Sequence, residues 1–249
     1  MSISYFGGKN KMSSWLYEYM PKDMKNYTEV FSGAMWIYFN EDFSFCDKII
    51  YNDVNRHMVN LYKCAQDPTF ADFVEKQISE GGKFFLEEED KTKYRKHFAD
   101  MYGKIKKTDF LNDFNFELGD KSKALVWLFM ITSAFNGCHP SAAGFSGITK
   151  TKKLKLTSFL NKLRKPNYKE KFSKMTFENL DFEELIKKYE GPDTFLYLDP
   201  PYADDLGPFD NKTNNRLNWY GVDNDKFGPS SHYRLAKLLH ESKSKWMLS

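Results

Sequence analysis

Asp199-Pro200-Pro201-Tyr202 directly follows a continuous apolar run at residues 194–198. A carboxylate and a neighbouring carbonyl can accept both hydrogens of an amino group on a heteroaromatic ring, such as N6 of adenine, and so free its lone pair. Two prolines would keep that backbone rigid, and the tyrosine ring could stack on a base. The alternative is a turn that only ends the strand, because proline cannot continue a β-ladder.

A second group of candidate residues would bind a nucleotide-like cofactor. Phe31-Ser32-Gly33 ends one apolar run, and Asp53 ends another. Glycine lets the backbone approach a ligand closely, and an acid at the end of a second strand suits two ribose hydroxyls. The alternatives are a strand-to-helix turn at Gly33 and a helix N-cap at Asp53.

The elements that would position these residues alternate between strand and helix. Helical spacing predicts helices over 10–20, 34–40, 55–65 and 231–242, and apolar runs predict strands over 27–31, 46–52, 175–177 and 194–198, with another strand starting at Trp246. This order is typical of an α/β fold with a parallel sheet, in which ligands bind beyond the carboxyl ends of the strands.

Residues 67–171 have a different character. They are rich in charge, and they contain an apolar helix over 122–134, a Gly/Ser/Asn-rich loop over 135–149 and a lysine-rich stretch after it. We therefore divide the chain into an α/β domain made of residues 1–66 and 172–249, and a mostly helical insert made of residues 67–171. Residues 203–230 form a polar segment, which we expect to be a mobile loop.

Composition and residue spacing do not fit a metal-binding, a secreted or a membrane-spanning protein. The chain has 249 residues, a net charge of +3 and three widely spaced cysteines, which we interpret as reduced core thiols. No metal-ligand spacing occurs, so we expect no metal. The N-terminus lacks the apolar segment of a signal peptide, and no apolar run is long enough for a bilayer. Abundant Lys, Asn, Phe and Tyr indicate an AT-rich genome, such as that of a phage. We expect a cytoplasmic protein of a bacterium or a phage-infected cell, with no membrane partner.

Three segments together resemble the Dam-type DNA adenine N6-methyltransferases: Tyr5-Phe6-Gly7-Gly8-Lys9, Glu29-Val30-Phe31-Ser32-Gly33 and Asp199-Pro200-Pro201-Tyr202. Phe135-Asn136-Gly137 is similar to a further motif of that family. The resemblance implies a Rossmann-like methyltransferase sheet with a target-recognition insert. It also implies S-adenosyl-L-methionine as cofactor and double-stranded DNA as substrate, with the target adenine flipped out of the duplex.

The resemblance assigns a role to each of these positions. The cofactor-binding residues would be Tyr5, Phe6, Gly7, Gly8, Lys9, Phe31, Ser32, Gly33, Asp53, Asp181 and Asp199. Lys9 would lie near the methionine carboxylate and Asp181 near the cofactor adenine. The catalytic residues would be Asp199, Pro200, Pro201 and Tyr202. The alternatives are a solvated surface role, which is usual for a lone lysine, at Lys9 and a helix cap at Asp181.

Contacts to DNA are expected from the insert, through Asn136, His139, Lys150, Lys152 and Lys153. Lysines beside a flexible loop suit phosphates. The alternative for the lysines is a solvated charged face.

The chain departs from the family pattern at two places. The family loop commonly reads Phe-x-Gly-x-Gly, but Met35 stands where the second glycine would be, so cofactor approach could be tighter or shifted. In similar enzymes the sheet continues beyond the strand that begins at Trp246, so we expect a catalytic domain truncated at its carboxyl end, whose open sheet edge a homodimer could cover.

Two other functions stay open at this point. One is methyl transfer to RNA or protein, and the other is a catalytically impaired module that binds DNA or cofactor. A partner restriction nuclease is also compatible with the sequence.

Overall fold

Five parallel strands form one sheet in the order β3-β2-β1-β4-β5. The computed structural model describes residues 9–80, 91–141, 143–147, 150–202 and 227–249. The strands are β1 (Asn26–Glu29), β2 (Lys48–Asn52), β3 (Met175–Glu178), β4 (Thr194–Leu198) and β5 (Lys245–Leu248). The α/β fold class and the parallel sheet expected from the sequence are confirmed.

Ten helices are found among the described residues: α1 (Ser13–Glu18), α2 (Trp36–Asn40), α3 (Arg56–Gln66), α4 (Phe70–Glu80), α5 (Lys91–Lys106), α6 (Lys121–Ser133), α7 (Lys150–Leu163), α8 (Pro166–Ser173), α9 (Phe182–Tyr189) and α10 (Pro229–Glu241). Helical spacing predicted α1, α2, α3, α6 and α10. The basic stretch that we did not assign to an element forms α7. Its buried Leu156, Phe159, Leu160 and Leu163 lie at helical spacing between the lysines.

Both faces of the sheet are covered. Tyr27, Ile49 and Phe195 belong to a core cluster with α1, α2 and α3 on one face. Ile50 and Leu196 belong to a second cluster with α9 and α10 on the other face. A strand that is buried on both faces reads as a continuous apolar run, which explains why β4 was visible in the sequence.

The helices of the predicted insert share the larger of these clusters. Trp127 of α6 and Phe159 of α7 are fully buried within the cluster that contains Tyr27 of β1. A smaller cluster joins α5 to α6 through Phe98 and Phe129. The insert therefore packs on the sheet domain through a continuous core, and the domain boundaries stay a prediction.

The remaining expectations from composition concern cysteines and membranes. Cys46, Cys64 and Cys138 are free and buried, as expected of core thiols. Of the helices in the described ranges, none has the length and apolar character needed to cross a bilayer. The predicted mobile segment lies largely outside the described residues, at positions 203–226.

Candidate active site

The Phe31–Gly33 turn and the Asp199–Tyr202 segment follow the neighbouring strands β1 and β4, at the same edge of the sheet. Glu29 of β1 lies opposite Tyr197 of β4, and the amide of Val30 donates to the carbonyl of Tyr197 at 3.0 Å. After β1, the chain moves through α2 to β2 on one side of β1, whereas β4 lies on the other side. The crevice between diverging connections at the carboxyl ends of parallel strands is where open α/β sheets bind ligands.

Asp199 makes an ion pair that the sequence did not predict. The Lys9 Nζ donates to Asp199 Oδ1 at 2.8 Å, and the side chains are only 13% and 18% exposed. The Tyr202 hydroxyl also donates to Asp199 Oδ1, at 3.2 Å, and Lys9 Nζ donates to the Tyr202 oxygen. Burial raises the pKa of Asp199, although the hydrogen bond from Lys9 opposes this. Burial lowers the pKa of Lys9, but its hydrogen bonds to Asp199 and Tyr202 outweigh that effect, so the pKa is raised.

The two prolines and the tyrosine continue from this carboxylate toward solvent. Pro200 is buried and Pro201 is half-buried, whereas the Tyr202 side chain is 52% exposed. The Lys9 Nζ lies 4.9 Å from the Tyr202 ring centroid. The exposed aromatic ring is therefore held beside the buried carboxylate by a shared cation.

The Phe31–Gly33 turn is fixed by its own side chains and by β2. Ser32 is buried, and its hydroxyl donates to the Glu29 carbonyl at 2.8 Å and accepts the Asn52 amide at 2.9 Å. Gly33 has a φ of +47°, a conformation that favours glycine. Its amide donates to Asp53 Oδ2 at 2.8 Å. Hydrogen bonds to β1, to β2 and to Asp53 therefore define the conformation of the turn.

Met35 also lies in the left-handed region, with a φ of +49°. This is the position where the family pattern has its second glycine, so the backbone keeps the conformation that glycine favours and the methionine side chain is buried. Met35 therefore adopts a backbone conformation that is rare for residues other than glycine.

Asp53 connects two turns. Its Oδ2 accepts the Gly33 amide, and its Oδ1 accepts the Asn55 amide at 2.8 Å. The helix that follows is capped by Asn55, whose Oδ1 accepts from the His57 and Met58 amides, so the N-cap interpretation of Asp53 is wrong. Burial raises the pKa of Asp53 to about 6, although both amides oppose it.

Asp181 is the N-cap of α9. Its Oδ1 accepts the Glu183 amide at 2.9 Å, and the residue is exposed. The alternative helix-cap interpretation is therefore what the structure shows, and contact with the cofactor stays a prediction. The next residue, Phe182, packs against Phe31 with ring centroids 6.0 Å apart, and both rings contact Phe227. These rings form an apolar wall beside the Phe31 turn.

Three polar residues near this site were not among the predicted site residues, and two of them are asparagines that link its turns. Buried Asn52 donates to the carbonyls of Val30 and Leu180 and accepts the Leu180 amide at 2.9 Å. Asn179 donates to the Asp53 and Val54 carbonyls. Both asparagines stand beside residues that we singled out, in Asn52-Asp53 and Asn179-Leu180-Asp181, and that proximity was the available signal.

Glu29 is the third missed residue. Its carboxyl is buried in β1, where Tyr27 donates to Oε1 at 2.8 Å. Burial raises the pKa of Glu29 to about 8, and the nearby Asp199 charge adds to that effect. The signal was a charged residue inside an otherwise apolar run.

The predicted DNA-binding residues occupy different environments. His139 is buried, and its Nδ1 lies 2.7 Å from Ser141 Oγ, which does not favour a contact with DNA in this arrangement. Lys152 donates to the Ala134 carbonyl at 2.8 Å and to Ser146 Oγ at 2.6 Å, and burial lowers its pKa to about 8. Phe135, which we did not assign as a contact, is 59% exposed.

Several other predicted residues lie outside what the structure describes. Tyr5, Phe6, Gly7 and Gly8 precede the described ranges, and the side chains of Asn136, Lys150 and Lys153 are not described. Their roles stay predictions. Within the described side chains, no group of three or more histidines, cysteines and carboxylates is arranged to hold a metal ion.

Two curated relatives are named as a methylase and a methyltransferase. The chain is 23% identical over 226 residues to "Modification methylase StsI" of Streptococcus sanguinis, covering 87% of this chain and 31% of that protein. It is 24% identical over a 257-residue alignment to "Type II methyltransferase M.MjaIII" of Methanocaldococcus jannaschii, covering 99% of this chain and 82% of that protein.

A third relative, "Type II methyltransferase M.FokI" of Planomicrobium okeanokoites, is 24% identical over 225 residues, again covering 31% of that protein. The chain thus spans about a third of the StsI and FokI methylases. A family sequence model, described as D12 class N6 adenine-specific DNA methyltransferase, matches residues 5–249. With the Asp199 corner beside the Phe31–Gly33 turn, and this match over nearly the whole chain, the protein belongs to the D12 class of N6 adenine-specific DNA methyltransferases.

Proposed function

We propose that this chain transfers a methyl group from S-adenosyl-L-methionine to N6 of an adenine at a specific site in double-stranded DNA. The observation that carries the proposal is the register between β1 and β4, which brings Asp199 to the same edge of the sheet as the Gly33 turn. Relatives named as type II methyltransferases support site-specific modification. We place the reaction in the cytoplasm of a bacterium or a phage-infected cell.

The residues of this edge fit the proposed cofactor. Each Asp53 oxygen accepts one backbone amide, and a carboxylate oxygen has a second lone pair that can accept a ribose hydroxyl. The half-buried Phe31 ring, backed by Phe182, offers an apolar surface for a purine, and Gly33 allows close approach of backbone. When bound, the cofactor would supply an electrophilic methyl group on a sulfonium.

Asp199 would act on the target amino group. Its carboxylate can keep the Lys9 contact at Oδ1 and still accept an adenine N6 hydrogen, because two oxygens offer about four acceptor positions. With the Pro200 carbonyl accepting the second hydrogen, the nitrogen would become more tetrahedral and its lone pair available. The cation of Lys9 favours the ionised form of Asp199, which is the form that accepts hydrogen bonds.

Two further groups would complete the site. The exposed Tyr202 ring would stack on the extruded base. On the insert, the exposed Phe135 ring and the lysines of α7 would meet the DNA. A homodimer and a partner nuclease stay predictions from the sequence.

The test compares Asp199→Asn with Asp193→Asn, which changes an exposed carboxylate just before the opposite end of β4. We expect tritium transfer to DNA to fall about 100-fold or more for the Asp199 variant, the size of effect typical of a positioned acid or base. The Asp193 variant should match the wild type, both in transfer and in its calorimetric affinity for S-adenosyl-L-methionine.

Substrate class is tested with the same tritium assay on DNA, RNA and protein. Labelled DNA alone supports the proposal, and label confined to RNA or protein contradicts it. Cofactor binding without transfer to any of the three would indicate a binding module in place of an enzyme. Normal transfer by the Asp199 variant would remove the assigned role of that carboxylate.

A further inference from the structure

Arg56 begins α3 and binds two segments that are distant in sequence. Its Nε and Nη2 both donate to the Phe116 carbonyl, at 3.1 and 2.5 Å, on the predicted insert. Its Nη1 donates to Asn179 Oδ1 at 3.1 Å, at the carboxyl end of β3. One guanidinium therefore joins the insert to the loop that follows β3.

On the sheet side, the contacts continue to the proposed cofactor turn. Asn179 Nδ2 donates to the Asp53 carbonyl at 2.8 Å and to the Val54 carbonyl at 3.1 Å. The Asp53 carboxylate accepts the Gly33 amide. Arg56 thus reaches the Gly33 turn through the Asn179 side chain and Asp53, by hydrogen bonds that are all part-buried.

On the insert side, α3 holds the segment that leads into α6. The Phe116 ring stacks on His57, with centroids 5.2 Å apart. Asn60 accepts the Gly119 amide at 2.7 Å and donates to the Asp120 carbonyl at 2.9 Å. Asp120 is the N-cap of α6, and α6 ends next to the Phe135–Gly137 turn that carries the exposed aromatic ring.

We propose that Arg56 is a positioning residue that couples the target-recognition insert to the cofactor-binding edge of the sheet, an inference that rests on the proposed function. The planar guanidinium can donate to Phe116 and Asn179 together, which a single ammonium cannot do in the same geometry. Ordering of the Asp53 turn by cofactor then restrains residues 112–120, and ordering of those residues by DNA strengthens cofactor binding, because linkage is reciprocal.

The first measurement needs no DNA. We would titrate the wild-type protein with S-adenosylhomocysteine, the demethylated product, in a calorimeter, and follow amide hydrogen exchange in residues 112–120 with and without it. We expect binding together with slower exchange in that segment. If the wild type does not bind the probe, the proposed cofactor site fails; if it binds with no change in this segment, the coupling fails.

The second measurement replaces Arg56 with Met. We expect affinity for S-adenosylhomocysteine to fall about tenfold, the size expected when charged hydrogen bonds are lost. The probe should no longer slow exchange in residues 112–120. Arg56→Lys should also lose the protection, because it keeps the charge but not the fork. Full protection in either variant would overturn the proposal.

Two further variants separate coupling from general damage. Arg164→Met removes a half-buried arginine that pairs with Asp72 and Glu75, and it should leave both binding and protection unchanged. Asn179→Ala removes the hydrogen bond from Arg56 on the sheet side and leaves the bonds from Arg56 to the Phe116 carbonyl in place. It should abolish the protection even if the Arg56 variants do not fold, and retained protection there would equally refute the coupling.

Discussion

Burial of the Glu29 carboxyl makes folding stability depend on pH. Its pKa is raised from 4.5 to about 8, because burial of the side chain in β1 and the nearby Asp199 charge outweigh the opposing hydrogen bond from Tyr27. A raised pKa means that the folded state holds the proton more tightly than the unfolded chain. The resulting stabilisation is complete below about pH 4.5 and is lost as pH rises through about 8.

The magnitude follows from the shift. Each pH unit between the two pKa values changes the free energy of unfolding by about 1.4 kcal/mol, so the wild type should lose about 4 kcal/mol from this group between about pH 5 and 8. Glu29→Gln keeps the size and an acceptor for the Tyr27 hydroxyl but cannot titrate. The difference in stability between variant and wild type should therefore move by about 4 kcal/mol in favour of the variant over that interval.

Urea unfolding at several pH values measures this difference. Groups with shifted pKa values that do not interact with Glu29, such as Asp53, are present in both proteins and cancel when the two are compared. Glu190→Gln, at an exposed position, is the matched control and should reproduce the pH profile of the wild type. A Glu29 variant whose difference from wild type stays constant between pH 5 and 8 would show that burial does not perturb this carboxyl.

Two further predictions concern the turns around the site. Met35→Gly should be more stable than Met35→Ala by about 1 kcal/mol, because both lose the buried side chain but only alanine keeps the cost of the left-handed backbone. Urea unfolding measures the two stabilities, and an alanine variant more stable than the glycine variant would show that the backbone at this position is not strained. Asn52→Ala should lower the free energy of unfolding by about 2–4 kcal/mol, since it leaves the Val30 carbonyl and both Leu180 backbone groups without their partner. A loss below about 0.5 kcal/mol would mean that these three hydrogen bonds are not needed for stability.

The strands of the sheet could be predicted from the sequence because each is marked by a local pattern of residues. Strand β4 was predicted with the bounds that the structure shows, since a fully buried parallel strand is a continuous apolar run and Pro200 cannot extend it. Strand β1 was expected to reach Phe31 but ends at Glu29. Beyond Val30 the chain turns away from β4, and the Ser32 amide bonds to the Asn52 carbonyl of β2.

Contacts between residues far apart in the sequence could not be predicted from local patterns. Lys9 and Asp199 lie 190 positions apart, and nothing in either motif shows that one is the ion-pair partner of the other. Asp53 was chosen correctly as a residue at a strand end, but its two amide partners come from different turns. The burial of His139 depends on packing against Trp127, which a Gly/Ser-rich loop sequence does not reveal.

The pairing of β1 with β4 has a consequence for synthesis of the chain. Asn26 and Thr194 are neighbours in the sheet although 168 positions separate them. At about 5–20 residues per second, the ribosome releases β1 roughly 10–30 s before its partner strand exists. During that interval β1, the central strand, has an unpaired edge on the side where β4 will lie. The nascent polypeptide must therefore avoid intermolecular strand pairing until residues 194–198 have been synthesised.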